Sequence, residues 1–251
     1  MLWVVQQDLF IENRRHDLVS TLDRFSIPYH LVRITADNQI DPEIDHNGAI
    51  ITNGSIMLSK IAVQRGWQPG SLLNDNFSYE HWYPIFKEHL LNRDAKFTTI
   101  AEASFSLDRM FVRPILDDKT FSGKVFGRNE FETMRSESLA GLSRSIKPDT
   151  QIMVSSVKNV GQEHRHYIVG GKVVTSSRYK LGGAVNHAEG ADPAIVDFAE
   201  RMAARWSPAR AFVLDTYMTN DEIGIVEMGC ICNAGLYQAD IQKLVAALDA
   251  L

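Results

Sequence analysis

AFVLDTYMTNDEIGIVEMGCICNAG, residues 211–235, is the stretch on which the reading of this chain turns. Ala211 to Met218 and Ile223 to Met228 are two mostly apolar runs of strand length, and Thr219 to Glu222 between them supplies a turn. Each run carries one carboxylate in apolar company, Asp215 in the first and Glu227 in the second, twelve positions apart. A hairpin brings the two to the same end of neighbouring strands. A carboxylate in an apolar strand is costly to bury unless a metal or a cation pairs with it. Mg²⁺ takes oxygen ligands and is commonly held by one or two carboxylates together with phosphate oxygens. Structural ion pairs with Arg or Lys leave the same trace in a sequence, so both readings stand at this point.

Working outward, the cations fall on segments that could face such a pair. Arg113 ends the apolar run MFVRP; Lys119 and Lys124 follow it, with Ser122-Gly123 between them; Arg165 lies in EHRHYIV, and Arg178 and Lys180 in SSRYK. Cations on strands that line a cleft can hold phosphates and offset the charge that builds up in phosphoryl transfer. A glycine beside a lysine lets backbone amides approach a phosphate closely. Taken singly, each of these cations reads as a solvated surface charge. Arg113 is the exception, set inside an apolar strand and before proline. The Walker pattern G-x-x-x-x-G-K-[ST] is absent, which excludes a P-loop protein.

Before the central stretch the chain reads β-α-β-β-α: Leu2–Gln6, Asn13–Phe25, Tyr29–Ile34, Ala49–Ile51 and Ile56–Arg65, a small open α/β unit. A loop over 66–77 and an aromatic helix over Tyr79–Leu91 follow. Strands are expected at Phe97–Ile100, Met110–Pro114 and Gln151–Ser155, with Lys119–Phe126 a connection and Asn129–Leu142 a helix. A hairpin over His164–Val169 and Lys172–Ser177 turns at Gly170-Gly171. A helix over Pro193–Trp206 is capped by Asp192, with proline at its first position. A last helix spans Ala239–Leu251. The expected class is therefore α/β followed by α+β, in three parts: 1–95, 96–156 and 157–251.

Bulk properties exclude several functions. The 251 residues carry a formal net charge of −5, with 45% hydrophobic and 23% charged residues. That is an ordinary globular balance, without the basic runs expected for a nucleic-acid or membrane-surface partner. The start, MLWVVQQDLF, reads as a strand and lacks the basic region of a signal peptide. No apolar run approaches a membrane span, so a cytoplasmic location is expected. Cys230 and Cys232 are too few for a disulfide framework and read as inert thiols. His164, His166 and His187 lack a further ligand at zinc spacing. No G-x-S-x-G element supports a hydrolase.

Taken in order, YHLVRI, TNGSIMLSKIAVQRGWQPG, MFVRPILDDKTFSGKVF, VSSVKNVGQEHRHYIVGGKVVTSSRYK and FVLDTYMTNDEIGIVEMGCICNAGLYQAD resemble the ATP-grasp superfamily. More closely, they resemble its clade named for two arginines and a lysine. The resemblance implies a small N-terminal α/β domain and two α+β lobes that clasp ATP. It sets Arg113 on a nucleotide-facing strand and Lys119 or Lys124 at the phosphates. Val154–Lys158, with Val157 and Lys158, becomes the adenine-recognising hinge, and Glu163 and Arg165 the clade's E-x-R element. Asp215, Glu227 and Asn233 become the Mg²⁺ ligands. The implied reaction joins a small-molecule or peptide carboxylate to an amine or thiol through an acyl-phosphate, with Arg165 or Arg178 holding the substrate carboxylate or the acyl-phosphate. One departure is visible: many members have Glu-x-Asn on the last strand, whereas here Gly229 stands third and Asn233 follows later. That departure keeps a second reading open, a non-catalytic ATP-binding assembly factor. A plain phosphotransferase is a third.

Overall fold

The computed structural model describes residues 1–9, 14–116, 120–220 and 222–251. In chain order its elements begin β1 (Leu2–Gln6), α1 (Arg15–Arg24), β2 (Tyr29–Ile34), β3 (Ile40–Asp41), β4 (Ile50–Asn53), α2 (Ile56–Gln64) and β5 (Pro69–Gly70). There follow α3 (Tyr79–Phe86), β6 (Lys96–Thr99), β7 (Arg109–Pro114), β8 (Lys124–Gly127), α4 (Arg128–Leu139) and β9 (Gln151–Ser156). The rest are β10 (Gln162–Val169), β11 (Lys172–Leu181), β12 (Ala184–Glu189), α5 (Pro193–Arg205), β13 (Ala211–Met218), β14 (Ile223–Gly229) and α6 (Ile241–Asp249). They form two compact units, one of residues 1–75 and 160–251, the other of residues 76–159.

The first unit holds two sheets. One has the order β3-β2-β1-β4-β5, with β1 parallel to both β2 and β4. All five residues of β1 are buried, as a central strand covered on both faces requires. Its core joins Leu2, Val4, Val32 and Ile50 to Leu58 and Ile61 of α2. Helix α2 starts at Ser55, whose side chain accepts from the Leu58 amide. It stops at Gly66, where φ is +67° and the Trp67 amide reaches back to the Ala62 carbonyl.

The other sheet is antiparallel, order β12-β11-β10-β13-β14. Its central hairpin turns at Gly170 and Gly171, both at positive φ, as a two-residue hairpin turn demands. The α5 cap is as expected: Asp192 Oδ1 accepts from the Ala194 amide, with Pro193 in the first turn. Helix α5 packs on β10, β11 and β13, and α6 on β10 and β11.

The second unit is a four-stranded antiparallel sheet, β6-β9-β7-β8, with α4 against β8. Its core is Ile100, Phe105, Met110, Val112, Phe126, Phe131, Ile152 and Val154, with Phe105 stacked on Phe131 at 4.7 Å.

Four short strands, β3, β5, β8 and β12, escape a reading by periodicity, since two to six residues leave little pattern to count. The helix expected over Tyr79–Leu91 ends at Phe86 and passes into a 3-10 turn at Lys87–His89. Pro84 inside it removes a backbone donor and weakens the last turn.

Candidate functional site

The carboxylates of the opening stretch meet across β13 and β14. Asp215 and Glu227 are direct cross-strand partners, and Arg165 on β10 is the cross-strand partner of Asp215 on the other side. Arg165 donates from Nε to Asp215 Oδ1 at 2.8 Å and from Nη2 to Oδ2 at 2.7 Å, a bidentate fork. Its Nη2 lies 3.8 Å from Glu227. Asp215 is 2% exposed as a side chain, whereas Glu227 is 36% exposed. Burial pushes the Asp215 carboxyl up, against the pull of the guanidinium upon it. Burial also works against the Arg165 charge, but the Asp215 carboxylate holds it firmly protonated.

A second cluster lies beside the first. Tyr179 Oη donates to Glu163 Oε2 at 2.8 Å, and Lys180 Nζ lies 3.2 and 3.3 Å from the two Glu163 oxygens. The segment after β14 closes over Arg165. Gly235 carbonyl accepts from the Tyr167 hydroxyl and from Arg165 Nη1 at 3.5 Å. The Tyr237 ring stacks on Tyr179 at 5.2 Å, with the guanidinium of Arg165 5.0 Å from the Tyr237 centroid. Strand alternation gathers Glu163, Arg165 and Tyr167 on one face of β10 and turns His164 and His166 to the other.

The remaining expected residues distribute as follows. Arg178 is the register partner of His164, so it leaves β11 on the opposite face from Arg165, and it donates to Asn186 Oδ1 at 3.1 and 2.7 Å. Asn233 sits in a 3-10 turn, Ile231–Asn233, where its Oδ1 accepts from Ser59 Oγ at 2.6 Å and its Nδ2 is buried without a partner. Cys230 and Cys232 are free and buried.

In the 76–159 unit, Arg113 lies 5.5 Å from the Tyr79 ring and bonds to the Pro114 carbonyl. Lys124 pairs with Glu130 at 2.6 Å, and its Nζ lies 4.5 Å from the Phe126 ring. Lys119 lies outside the described residues. Val157 is 40% exposed. Lys158 pairs with Asp94 at 2.7 Å and with the Ser156 hydroxyl. Burial alone would raise the Asp94 carboxyl, but hydrogen bonds from Lys158 and Ser156, with the Lys158 charge, hold it down to about 2.

Gly123 has a packing role in this unit. A Cβ there would stand 2.9 Å from the Arg113 Cβ and 3.0 Å from the Phe111 ring, and the root of a side chain cannot move aside cheaply. We expect Gly123→Ala to lower stability by about 1–3 kcal/mol, read by urea unfolding, as overpacking does; an unchanged midpoint would contradict the role.

Sequence reasoning missed Tyr167, Tyr179, Tyr237 and the Gly235 carbonyl. Tyrosine in a strand reads as core, and only the placement of Tyr179 between two cations in SSRYK hints otherwise.

The matched solved structures share this architecture. D-cycloserine synthetase DcsG superposes with a TM-score of 0.66 at 11% identity, covering 100% of this chain and 99% of that one. The D-alanine–D-alanine ligase of Bacillus anthracis complexed with ATP gives 0.56 at 13% identity, over 100% and 91%. The ATP-grasp ligase PsnB complexed with a minimal precursor gives 0.57 at 11% identity, over 99% and 98%. At these identities the likeness is one of fold. No curated protein matches the sequence. Residues 38–248 match the model of an ATP-grasp domain family, the third family of the clade named for two arginines and a lysine. With most of its length inside that match, and with three sheets and six α-helices among the described residues, the chain belongs to the ATP-grasp family.

Proposed function

We propose that the chain is an ATP- and Mg²⁺-dependent ligase that joins a carboxylate to an amine or thiol. The observation that carries this reading is the row Glu163, Arg165, Asp215 and Glu227 with Lys180, where carboxylates and cations alternate across adjoining strands. Such a face can bind a polyphosphate with its cations and a divalent cation with its carboxylates.

The donor set fits Mg²⁺. Its ligands are hard oxygens, and Glu227 is exposed enough to be reached. Among the described residues no group of three or more His, Cys, Asp or Glu could hold a metal ion alone. Mg²⁺ commonly takes one or two protein carboxylates and completes its shell with water and phosphate. Glu227 would hold it, with Asp215 behind and Asn233 from the following turn. When bound, the ion offsets charge on phosphate oxygens. On this face Lys180 takes phosphates, and Arg178, which leaves β11 on the opposite face, stands outside it. For the 76–159 unit the family resemblance assigns Arg113, Lys119 and Lys124 to phosphates and Val157 and Lys158 to the base. In the reaction a substrate carboxylate oxygen attacks the γ-phosphorus and ADP leaves. The amine or thiol then attacks the acyl carbon, phosphate leaves and a proton passes to solvent. The division into 1–95, 96–156 and 157–251 and the cytoplasmic location belong to the same proposal. Its footing on location is that no helix among the described residues is long and apolar enough to cross a membrane.

Thermal unfolding with ATP, with and without Mg²⁺, tests the reading. Nucleotide at a hundredfold its dissociation constant stabilises by about 2.7 kcal/mol. We expect a Mg²⁺-dependent rise in Tm that Glu227→Gln removes. No shift of the wild-type chain at millimolar ATP would refute nucleotide binding.

A second reading, an ATP-binding assembly factor, is favoured by one observation. Both Asp215 oxygens are engaged by Arg165, and Asn233 Oδ1 is engaged by Ser59. It predicts the same Tm rise without ADP release in the presence of any carboxylate and amine pair.

A further inference from the structure

Strands β10 and β11 pair out of step at two levels, between Glu163 and His164 and between Tyr167 and Ile168, and the first of these lies at the site. Glu163 faces Lys180 and His164 faces Arg178, so Tyr179 is an extra residue on β11. In a regular strand Tyr179 and Lys180 would point to opposite faces. The bulge removes that alternation, and both side chains reach the Glu163 carboxylate. The tyrosine is 8% exposed as a residue and its hydroxyl is spent on Glu163; the lysine side chain is 41% exposed. A lysine carries four flexible bonds and about 2 kcal/mol of rotamer entropy, so a fixed anchor decides where its charge stands. Glu163 is that anchor, and Tyr179 stops the anchor from turning. Of the two cations on this face, Arg165 is only 11% exposed and is committed to Asp215. Lys180 is therefore the cation that an incoming anion can meet.

We propose that Tyr179 is a positioning residue: its hydroxyl fixes Glu163, which holds the Lys180 ammonium where it meets the polyphosphate of the nucleotide. The inference rests on the nucleotide reading above and adds to it a role for a residue that touches no ligand. The Tyr179 ring extends the same function, lying 5.9 Å from the Arg165 guanidinium and stacking on Tyr237. One side chain thus braces both cations of the face.

Calorimetric titration of the full chain with Mg²⁺·ATP and with adenosine provides the test, on wild type, Tyr179→Phe, Lys180→Met and the double variant. Tyr179→Phe keeps the ring and removes one hydrogen bond to a charged group. We expect it to weaken Mg²⁺·ATP by about tenfold, in line with the loss of such a bond. Adenosine, which has no phosphate, should bind as it does to wild type. In the Lys180→Met background the same change should have no further effect, because its route to the ligand is already gone. Glu163→Gln should reproduce the Tyr179→Phe result, and it serves as the test if Tyr179→Phe does not fold. Equal Mg²⁺·ATP affinity of Tyr179→Phe and wild type would overturn the proposal. So would a loss that adenosine shares, or one that persists undiminished in Lys180→Met, since these mark a merely structural role. A wild-type chain that binds neither ligand would refute the nucleotide reading itself, and this proposal with it.

Discussion

Replacing Arg165 by Met is expected to destabilise the chain by about 3–5 kcal/mol at pH 7, the usual cost of leaving one member of a buried ion pair alone. Asp215, at 2% side-chain exposure, would keep its place in β13 with neither oxygen on a guanidinium. The bond to Gly235 and the contacts with Tyr179 and Tyr237 would go as well. The deficit should depend on pH. With Arg165 gone, burial holds the Asp215 carboxyl above its unfolded value. A group raised in the folded state contributes stability below its unfolded pKa and loses it as pH rises through the folded pKa. The deficit of Arg165→Met should therefore be smallest near pH 4 and grow toward neutrality. The double variant Arg165→Met, Asp215→Leu removes both charges and should recover much of the loss. Urea unfolding of wild type, the two single variants and the double variant at pH 4.5 and 7 reads all of this. An Arg165→Met chain within 1 kcal/mol of wild type at pH 7 would show that the pair adds no constraint. The same reasoning makes Glu227→Gln a cleaner probe of metal binding than Asp215→Asn, which would disturb folding and ligand together.

What the sequence made legible followed the range of each signal. The two apolar runs around 219–222 announced a hairpin, and the spacing of Asp215 and Glu227 set them on neighbouring strands, where they pair in mid-strand rather than at one end; both are local properties. So were the Gly170-Gly171 turn and the Asp192-Pro193 helix start, since a turn type or a cap depends on two or three adjacent residues. The partner of Asp215 is fifty residues away, and strand composition could not choose between metal and arginine. Arg165 and Arg178 were alike as cations in the sequence, yet strand alternation sends them to opposite faces. The bulge at Tyr179 was hidden because a one-residue slip in pairing leaves no mark on hydrophobic periodicity. The close packing of Gly123 against Arg113 and Phe111 left no local mark either, since it depends on the pairing of β7 with the segment before β8.

Lowering the pH from 6.5 to 4.5 is expected to remove about 3 kcal/mol of stability, most of it through His166 and a solvent-screened share through His164, the pair on the reverse face of β10. His166 is fully buried, bonded through its two ring nitrogens to Ser176 at 2.8 Å and Thr216 at 2.9 Å. Burial, then the neighbouring His164, pushes its pKa down to about 3. For His164 burial again leads, Arg178 adds to it and Asp192 opposes it, giving about 4. Its Nδ1 is buried without a partner, so a proton there gains no bond to offset the lost hydration. Both folded values lie below the ordinary histidine value of 6.5. Stability is then complete above about 6.5 and falls as pH drops toward the folded values, at about 1.4 kcal/mol per pH unit for each proton that only the unfolded chain binds. Asp94, held down to about 2, acts in the same sense, but below pH 3.8. Asp215, pushed up by burial, acts in the opposite sense. A comparison between variants isolates the histidine contribution. His166→Gln can still bond both hydroxyls and takes up no proton. Its stability should fall less steeply than that of wild type, by about one proton's worth near pH 5. Its deficit at pH 7 should accordingly shrink on acidification. Parallel curves for the two chains from pH 7 to 4.5 would mean that His166 is already protonated in the fold, and its two hydroxyl bonds would then have to be redrawn with the imidazole donating from each nitrogen.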